Sequence, residues 1–268
     1  MIVFGAIAPH GDPAFEDGSP TRAAFEELGR LLEQARPDVI VVFTPHNVHV
    51  EGSFAIVVAA TLAGVLVERE IELTCVVDRK LATDVLDTLR DHGLPAVGIS
   101  FGSNDPALAE MPMDWGTLIP LWFLGGGAEP SRPVVVLSPA RELSLDDHVQ
   151  AGAAVAAACE GRRVALVASA DHGHAHDPEG PFGFDPAAAE YDDRVVALVS
   201  ENRLEDALSL EPIVAAASAD SLWQLVLLRG ALGDGFRAEL LSYERPTYFG
   251  MLCAAFSPSP AGGDGENG

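Results

Sequence analysis

The residues of this 268-residue chain whose types and spacing can do chemistry are histidines and carboxylates at the ends of apolar runs. His172, His174 and His176 stand at every second position in VASADHGHAHDPEG, His10 ends IVFGAIAPH, His46 follows DVIVVFTP, and Glu244 follows RAELLSY. In an open α/β sheet, ligands bind beyond the carboxyl ends of the strands, where loops present side chains into a crevice. One polar residue at a strand end is usually a satisfied loop residue, so the weight rests on four groups converging. Two neutral imidazoles and one carboxylate on one face of a metal leave positions open for two reactants, which is the ligand set of non-haem Fe(II) oxygenases. His10, His46 and Glu244 can form such a set. One histidine of the 172–176 group can then stand beside it as an acid or base, its unperturbed pKa lying near neutrality.

Other readings of single residues stay open at this point. Asp171 can orient His174 or cap its turn, and His172 and His176 can be neighbours of the site or lie exposed. His49, His92 and His148 read as structural or solvated. Tyr243, Tyr248 and Trp223 read as core aromatics. The motifs HExxH, GxGxxG after a strand, GxxxxGK[ST] and GxSxG are absent, and GGG at 125–127 reads as a turn.

The elements that must position these groups are legible as alternating patterns. Runs 2–8, 38–44, 95–101, 133–138 and 163–169 are continuously apolar and of strand length, as in strands covered on both faces. Between them, 21–35, 79–92 and 146–160 carry helical amphipathicity, so the chain reads as a single α/β domain over residues 1–256, with a mixed, mostly parallel sheet and helices on both faces. Segments 54–60 and 69–77 lack an intervening helix, as do 237–243 and 248–256, and each pair reads as antiparallel. Residues 257–268, ending SPSPAGGDGENG, contain little to bury and read as a disordered tail.

Composition narrows the function classes. Forty acidic against sixteen basic residues give a net charge of -24, which repels phosphate backbones and anionic headgroups, so nucleic acid and membrane surfaces are poor partners. Cys75, Cys159 and Cys253 are far apart, so neither a disulfide framework nor a thiolate zinc site is indicated, and a reducing cytoplasm fits best. The opening MIVFGAIAPHGD has no basic leader and reads as a first core strand.

IAPHGD, FTPHNVHVEGSFAI, SADHGH with the following GPFGFDPAAAEYDDRVV, and SYERPTYFGM together resemble the class III extradiol ring-cleavage dioxygenases. This is the superfamily of the protocatechuate 4,5-dioxygenase β subunit, which also contains the Memo-like proteins. The resemblance runs from about residue 5 to residue 256. It implies His10 and His46 as metal ligands, with His49 a minor alternative, Glu244 as the carboxylate ligand, and His174 as the acid/base imidazole with His172 next. Many members carry Asp-His-Gly-Thr where this chain reads MDWGTLIPL, so Trp115 replaces a pocket histidine; it can stack on a ring but cannot accept a proton. Trp115, Asp171 and His176 are expected around the substrate.

What the resemblance implies is an Fe(II)-dependent dioxygenase, with Mn(II) an alternative, opening the ring of a catechol or 2-aminophenol with O₂. His174 would move the protons. The partners implied are a small aromatic, O₂ and further copies of the chain, with a second subunit a further option. Two other classes remain: a Memo-like metal-binding or redox protein without ring cleavage, and a subunit of a hetero-oligomeric dioxygenase.

Overall fold

The computed structural model describes residues 1–125 and 132–259. Eleven named strands and seven α-helices run in the order β1 (Ile2–Ala8), α1 (Pro20–Ala35), β2 (Val39–Phe43), β3 (Phe54–Val57), β4 (Thr61–Leu66), β5 (Ile71–Val76), α2 (Arg79–Asp91), β6 (Ala96–Ile99), β7 (Glu110–Pro112) and α3 (Trp115–Leu124), then continue as β8 (Val134–Ser138), α4 (Leu145–Ala158), β9 (Val164–Ser169), α5 (Pro186–Ser200), α6 (Glu211–Val214), α7 (Leu222–Leu232), β10 (Phe236–Glu244) and β11 (Met251–Pro258). Eight strands form the central sheet in the order β10-β11-β1-β9-β2-β8-β3-β6.

The continuous apolar runs become its middle. β1, β9, β2 and β8 are mutually parallel, and all their residues but Ile2 are buried because helices cover both faces. Each large side chain fully buried there, such as Phe4, Ile7, Phe43 or Leu166, contributes about 1.5–3 kcal/mol of transfer free energy. Because the four strands are parallel, their carboxyl ends share one edge, and His10, His46 and the 172–176 segment emerge there.

The edges are antiparallel. β11 pairs with β1 and β10 with β11, as the late pair of segments suggested. The early pair is different: β3 joins the central sheet beside β8 and β6, whereas β5 pairs with β4 in a separate three-stranded sheet, β5-β4-β7. Residues 61–66, which form β4, lie between the two segments expected to pair. β11 continues to Pro258, the rest of the expected tail from 260 onward lies outside the described residues, and so do two glycines of GGG.

Helix starts follow side-chain chemistry. Ser19 accepts from Arg22 N, Asp78 from Leu81 N and Asp114 from Thr117 N, each satisfying a donor the first helical turn leaves free. Ser144 and Asp147 form a reciprocal capping box on α4. α4 packs on α7 at close range: a Cβ at Gly152 would overlap the Leu227 carbonyl, and one at Gly230 the Val149 carbonyl. Among the described residues, no helix is long and apolar enough to cross a membrane.

Candidate functional site

At the carboxyl edge of the parallel strands lies a cleft of about 1050 Å³. Trp115, Ile119, Leu66, Phe182, Tyr248 and Phe249 give it apolar and aromatic walls, and His10, His46, Asp171, His174 and Asp220 are among its polar groups, with His49, Arg141 and Glu142 also on its lining.

His10 leaves β1 and is 3% exposed. Its Nδ1 lies 2.9 Å from Ser169 Oγ, and that hydroxyl donates to the Gly116 carbonyl. The hydroxyl proton is thereby committed, so Ser169 Oγ accepts from His10 Nδ1–H and Nε2 is left to face the cleft as a ligand atom. His46 leaves β2 by a loop pinned to the start of α3: its N–H donates to Thr44 Oγ1 at 3.3 Å, and Thr44 in turn donates to Asp114 at 2.7 Å. Asn47 also donates to Asp114, at 3.2 Å. The Trp115 ring stacks on the His46 imidazole with centroids 4.3 Å apart.

These two imidazoles meet a carboxylate. His10 Nε2 and His46 Nε2 are 2.9 Å apart, and Asp220 Oδ2 lies 3.7 Å from the first and 3.4 Å from the second. One nitrogen or oxygen atom from each of the three falls within 4.8 Å of the others, the one cluster among the described residues that could hold a metal ion. The set suits a divalent cation that takes nitrogen and oxygen donors. Asp220 Oδ1 is buried with no hydrogen-bond partner, an arrangement that costs free energy unless a cation satisfies it. Burial alone would lower the His10 pKa, yet the Asp171 and Asp220 carboxylates outweigh it and raise the pKa to about 9. Asp220 is likewise held well below the carboxylate range, because His10 and His46 overcome the burial that would raise it. The same negative potential would draw in a metal ion, whose binding displaces the His10 proton.

The expected carboxylate, Glu244, is elsewhere. It ends β10 and its Oε1 accepts from Thr21 N, 2.9 Å away, at the start of α1. β10 is separated from β1 by β11, and the Glu244 carboxylate is turned to the start of α1 rather than grouped with His10 and His46. The structure brings Asp220 there instead, from the loop entering α7, with Ser218 in the left-handed region at φ 50° as the chain turns. In the sequence, Asp-Ser before an apolar helix reads as an ordinary cap, which hid it.

Of the three alternating histidines, only His174 lines the cleft. Its ring lies between Phe249, stacked at 5.3 Å, and the edge of Phe182, also at 5.3 Å. Its Nδ1 is 2.7 Å from the His172 carbonyl, which can only accept, so the proton sits on Nδ1 and Nε2 carries the free lone pair. His172, expected as second candidate, is 0% exposed and turned inward onto Ser221 Oγ at 3.0 Å, which also meets the Tyr191 hydroxyl at 3.0 Å. Burial lowers the His172 pKa despite Asp192, Asp171 and Asp220 around it, so it is held neutral. His176, expected at the substrate, lies outside the cleft, with Nε2 2.9 Å from Asp192 Oδ2. The strand-like alternation explains both departures, since neighbours two apart share a side only while the chain stays extended, and this segment is not a strand. Asp171 lines the cleft, but its Oδ1 accepts from His10 N at 3.0 Å, so its hydrogen bond goes to His10 rather than to His174. Burial raises the Asp171 pKa, with His10 opposing.

The signature of the family described as the catalytic LigB subunit of aromatic ring-opening dioxygenase matches residues 6–254. Protein CA_C1420 of Clostridium acetobutylicum is 21% identical over 231 residues, covering 84% of this chain and 49% of its own length, so the chain spans about half of that curated relative. An uncharacterized protein of Escherichia coli K12, JW3007, shares the fold with a TM-score of 0.66 at 17% identity, over 94% of this chain and 99% of that one.

Proposed function

Since the chain belongs to the family of the catalytic LigB subunit of aromatic ring-opening dioxygenases, we propose that it is a non-haem Fe(II)-dependent extradiol dioxygenase acting on a catechol or 2-aminophenol type aromatic. The observation that carries this reading is the meeting of His10, His46 and Asp220 at the floor of an aromatic-walled cleft beside His174. His10 and His46 would offer Nε2 and Asp220 a carboxylate oxygen to the ion. When bound, the ferrous ion supplies the one-electron chemistry that lets O₂ react with an aromatic ring, and Mn(II) suits the same donors.

The chain's own residues do the rest. Ser169 and the Asp114 network fix the two imidazoles, so little reorganisation is needed to bind metal. Trp115, Phe182 and Phe249 offer faces and edges against which a planar ring can stack, displacing water from the cleft. His174 Nε2, as a free lone pair, takes the proton from the substrate hydroxyl and returns it later; a positioned general base of this kind is typically worth about 10² to 10⁴ in rate. Trp115 cannot substitute for a second proton-transfer imidazole, so the chain relies on His174 alone at this wall.

The test is anaerobic loading with Fe(II), followed by O₂ uptake and absorbance with a panel of catechols and aminophenols. The expected result is O₂ consumption with a yellow ring-opened product from at least one of them. Full Fe(II) loading with no O₂ uptake across the panel would overturn the reading in favour of a metal-binding protein without ring cleavage.

A further inference from the structure

Asp192 is a carboxylate, 1% exposed, in the middle of α5, and it plays no part in the metal cluster or the cleft wall. It gathers three donors. Gly173 N donates to Oδ1 at 2.7 Å, while His176 Nε2 and the Tyr243 hydroxyl donate to Oδ2 at 2.9 and 2.8 Å. Arg245 lies 2.8 Å from His176 Nδ1, and because a guanidinium only donates, that nitrogen is an acceptor and Nε2 carries the proton. His176 is thus fixed as a donor to Asp192, so both oxygens of the buried carboxylate are met by protein donors.

The Gly173 N–H and the His172 carbonyl are two ends of one peptide unit. One end donates to Asp192 and the other accepts from His174 Nδ1–H, giving a chain Asp192 Oδ1, Gly173 N–H, His172 C=O, His174 Nδ1–H. A negative charge on the N–H end polarises the amide and strengthens its carbonyl as an acceptor, since hydrogen bonds in series reinforce one another in a low-dielectric interior. Gly173 is held against α5 closely enough that a Cβ would sit 2.9 Å from the Ala188 carbonyl, so the peptide has little room to turn. The His174 backbone N–H donates to the Ala217 carbonyl at 2.9 Å. No carboxylate hydrogen-bonds the His174 ring directly among the described residues, so this peptide is the route by which one reaches it.

We propose that Asp192 is a positioning residue that acts on His174 through the His172–Gly173 peptide, holding it in the Nδ1–H tautomer whose Nε2 faces the cleft as the proton acceptor. The assignment of a reaction to that Nε2 rests on the function proposed above; the tautomer does not. His176 and Tyr243 serve to hold Asp192 aimed at the Gly173 N–H.

The experiment is nitrogen-shift spectroscopy of isotope-labelled histidines in the full-length chain in its metal-free, diamagnetic form. In the unsubstituted protein, His174 is expected as the Nδ1–H tautomer and the Gly173 amide proton far downfield. In Asp192→Asn, the Nε2–H tautomer becomes populated, and ring-opening kcat falls about ten- to a hundred-fold, the size typical of losing a supporting hydrogen-bond partner, while KM changes less. Tyr243→Phe leaves the charge in place with one donor fewer, so it keeps the His174 tautomer and moves the Gly173 amide further downfield; this arm stands if Asp192→Asn does not fold. An Nε2–H tautomer in the unsubstituted protein, or a folded Asp192→Asn chain with the tautomer unchanged, would overturn the proposal. A tautomer shift in a protein that opens no ring leaves the relay intact and refutes the reaction instead.

Discussion

Three side chains from distant parts of the sequence, His10, His46 and Asp220, decide whether this cleft holds a metal, and each can be interrogated singly. Asp220→Asn is expected to lower retained Fe(II) by more than about 100-fold, beyond what an outer partner costs, whereas Glu244→Gln keeps it because Glu244 only accepts from the start of α1. Metal content by elemental analysis after dialysis reads both; equal retention in the two variants would remove Asp220 from the ligand set. His174→Phe is expected to retain the metal and lose about 10² to 10⁴ in turnover, read by steady-state O₂ uptake. Unchanged turnover would take the proton transfer away from His174. At this scale the sequence showed the histidines because each ends an apolar run, and it concealed the carboxylate because Asp220-Ser221 looks like the start of any helix. Spacing in the chain could not separate His172, His174 and His176 either. Their directions are set by Ser221, the cleft and Asp192, which come from other elements.

The elements act by where they deliver chain ends. α7 carries Asp220 at its entrance, and its seat on α4 depends on Gly152 and Gly230 letting the backbones approach. Gly230→Ala is expected to destabilise the fold by about 1–3 kcal/mol through overpacking and to weaken metal binding with it, as α7 is displaced. Urea unfolding paired with a metal titration checks this, and a stability loss with unaltered metal affinity would show that α7 does not set the position of Asp220. The parallel strands were legible because burial on both faces leaves unbroken apolar runs, and α1, α2 and α4 because one face stays polar. α3 and α7 were not. WGTLIPLWFL and LWQLVLLRGAL are apolar nearly all round, so neither period stands out. The small second sheet escaped because Thr61–Leu66 alternates too weakly to separate from the strand before it, and its partners lie elsewhere in the chain.

For the molecule as a whole, buried neutral histidines tie stability to pH. His148 is fully buried, with Nδ1 bonded to the Ser144 carbonyl and Nε2 unpartnered. Burial lowers its pKa, only partly offset by Ser144 and Asp147, and His172 is lowered by burial too. Protonation therefore favours the unfolded chain. The stabilisation is complete above the unfolded histidine pKa of about 6.5 and is lost as pH falls below it, by up to about 1.4 kcal/mol per pH unit for each group. Urea midpoints at pH 7 and pH 5 should differ accordingly, and His148→Leu should flatten the dependence; an equal slope in that variant would assign it to other groups. The function proposed for the chain makes one chemical claim above the rest, that both atoms of O₂ enter an aromatic ring as it opens. The most direct measurement is mass spectrometry of the product formed by the Fe(II)-loaded chain under isotopically heavy O₂. The account predicts a ring-opened product carrying both heavy atoms; a product carrying one or none would contradict it.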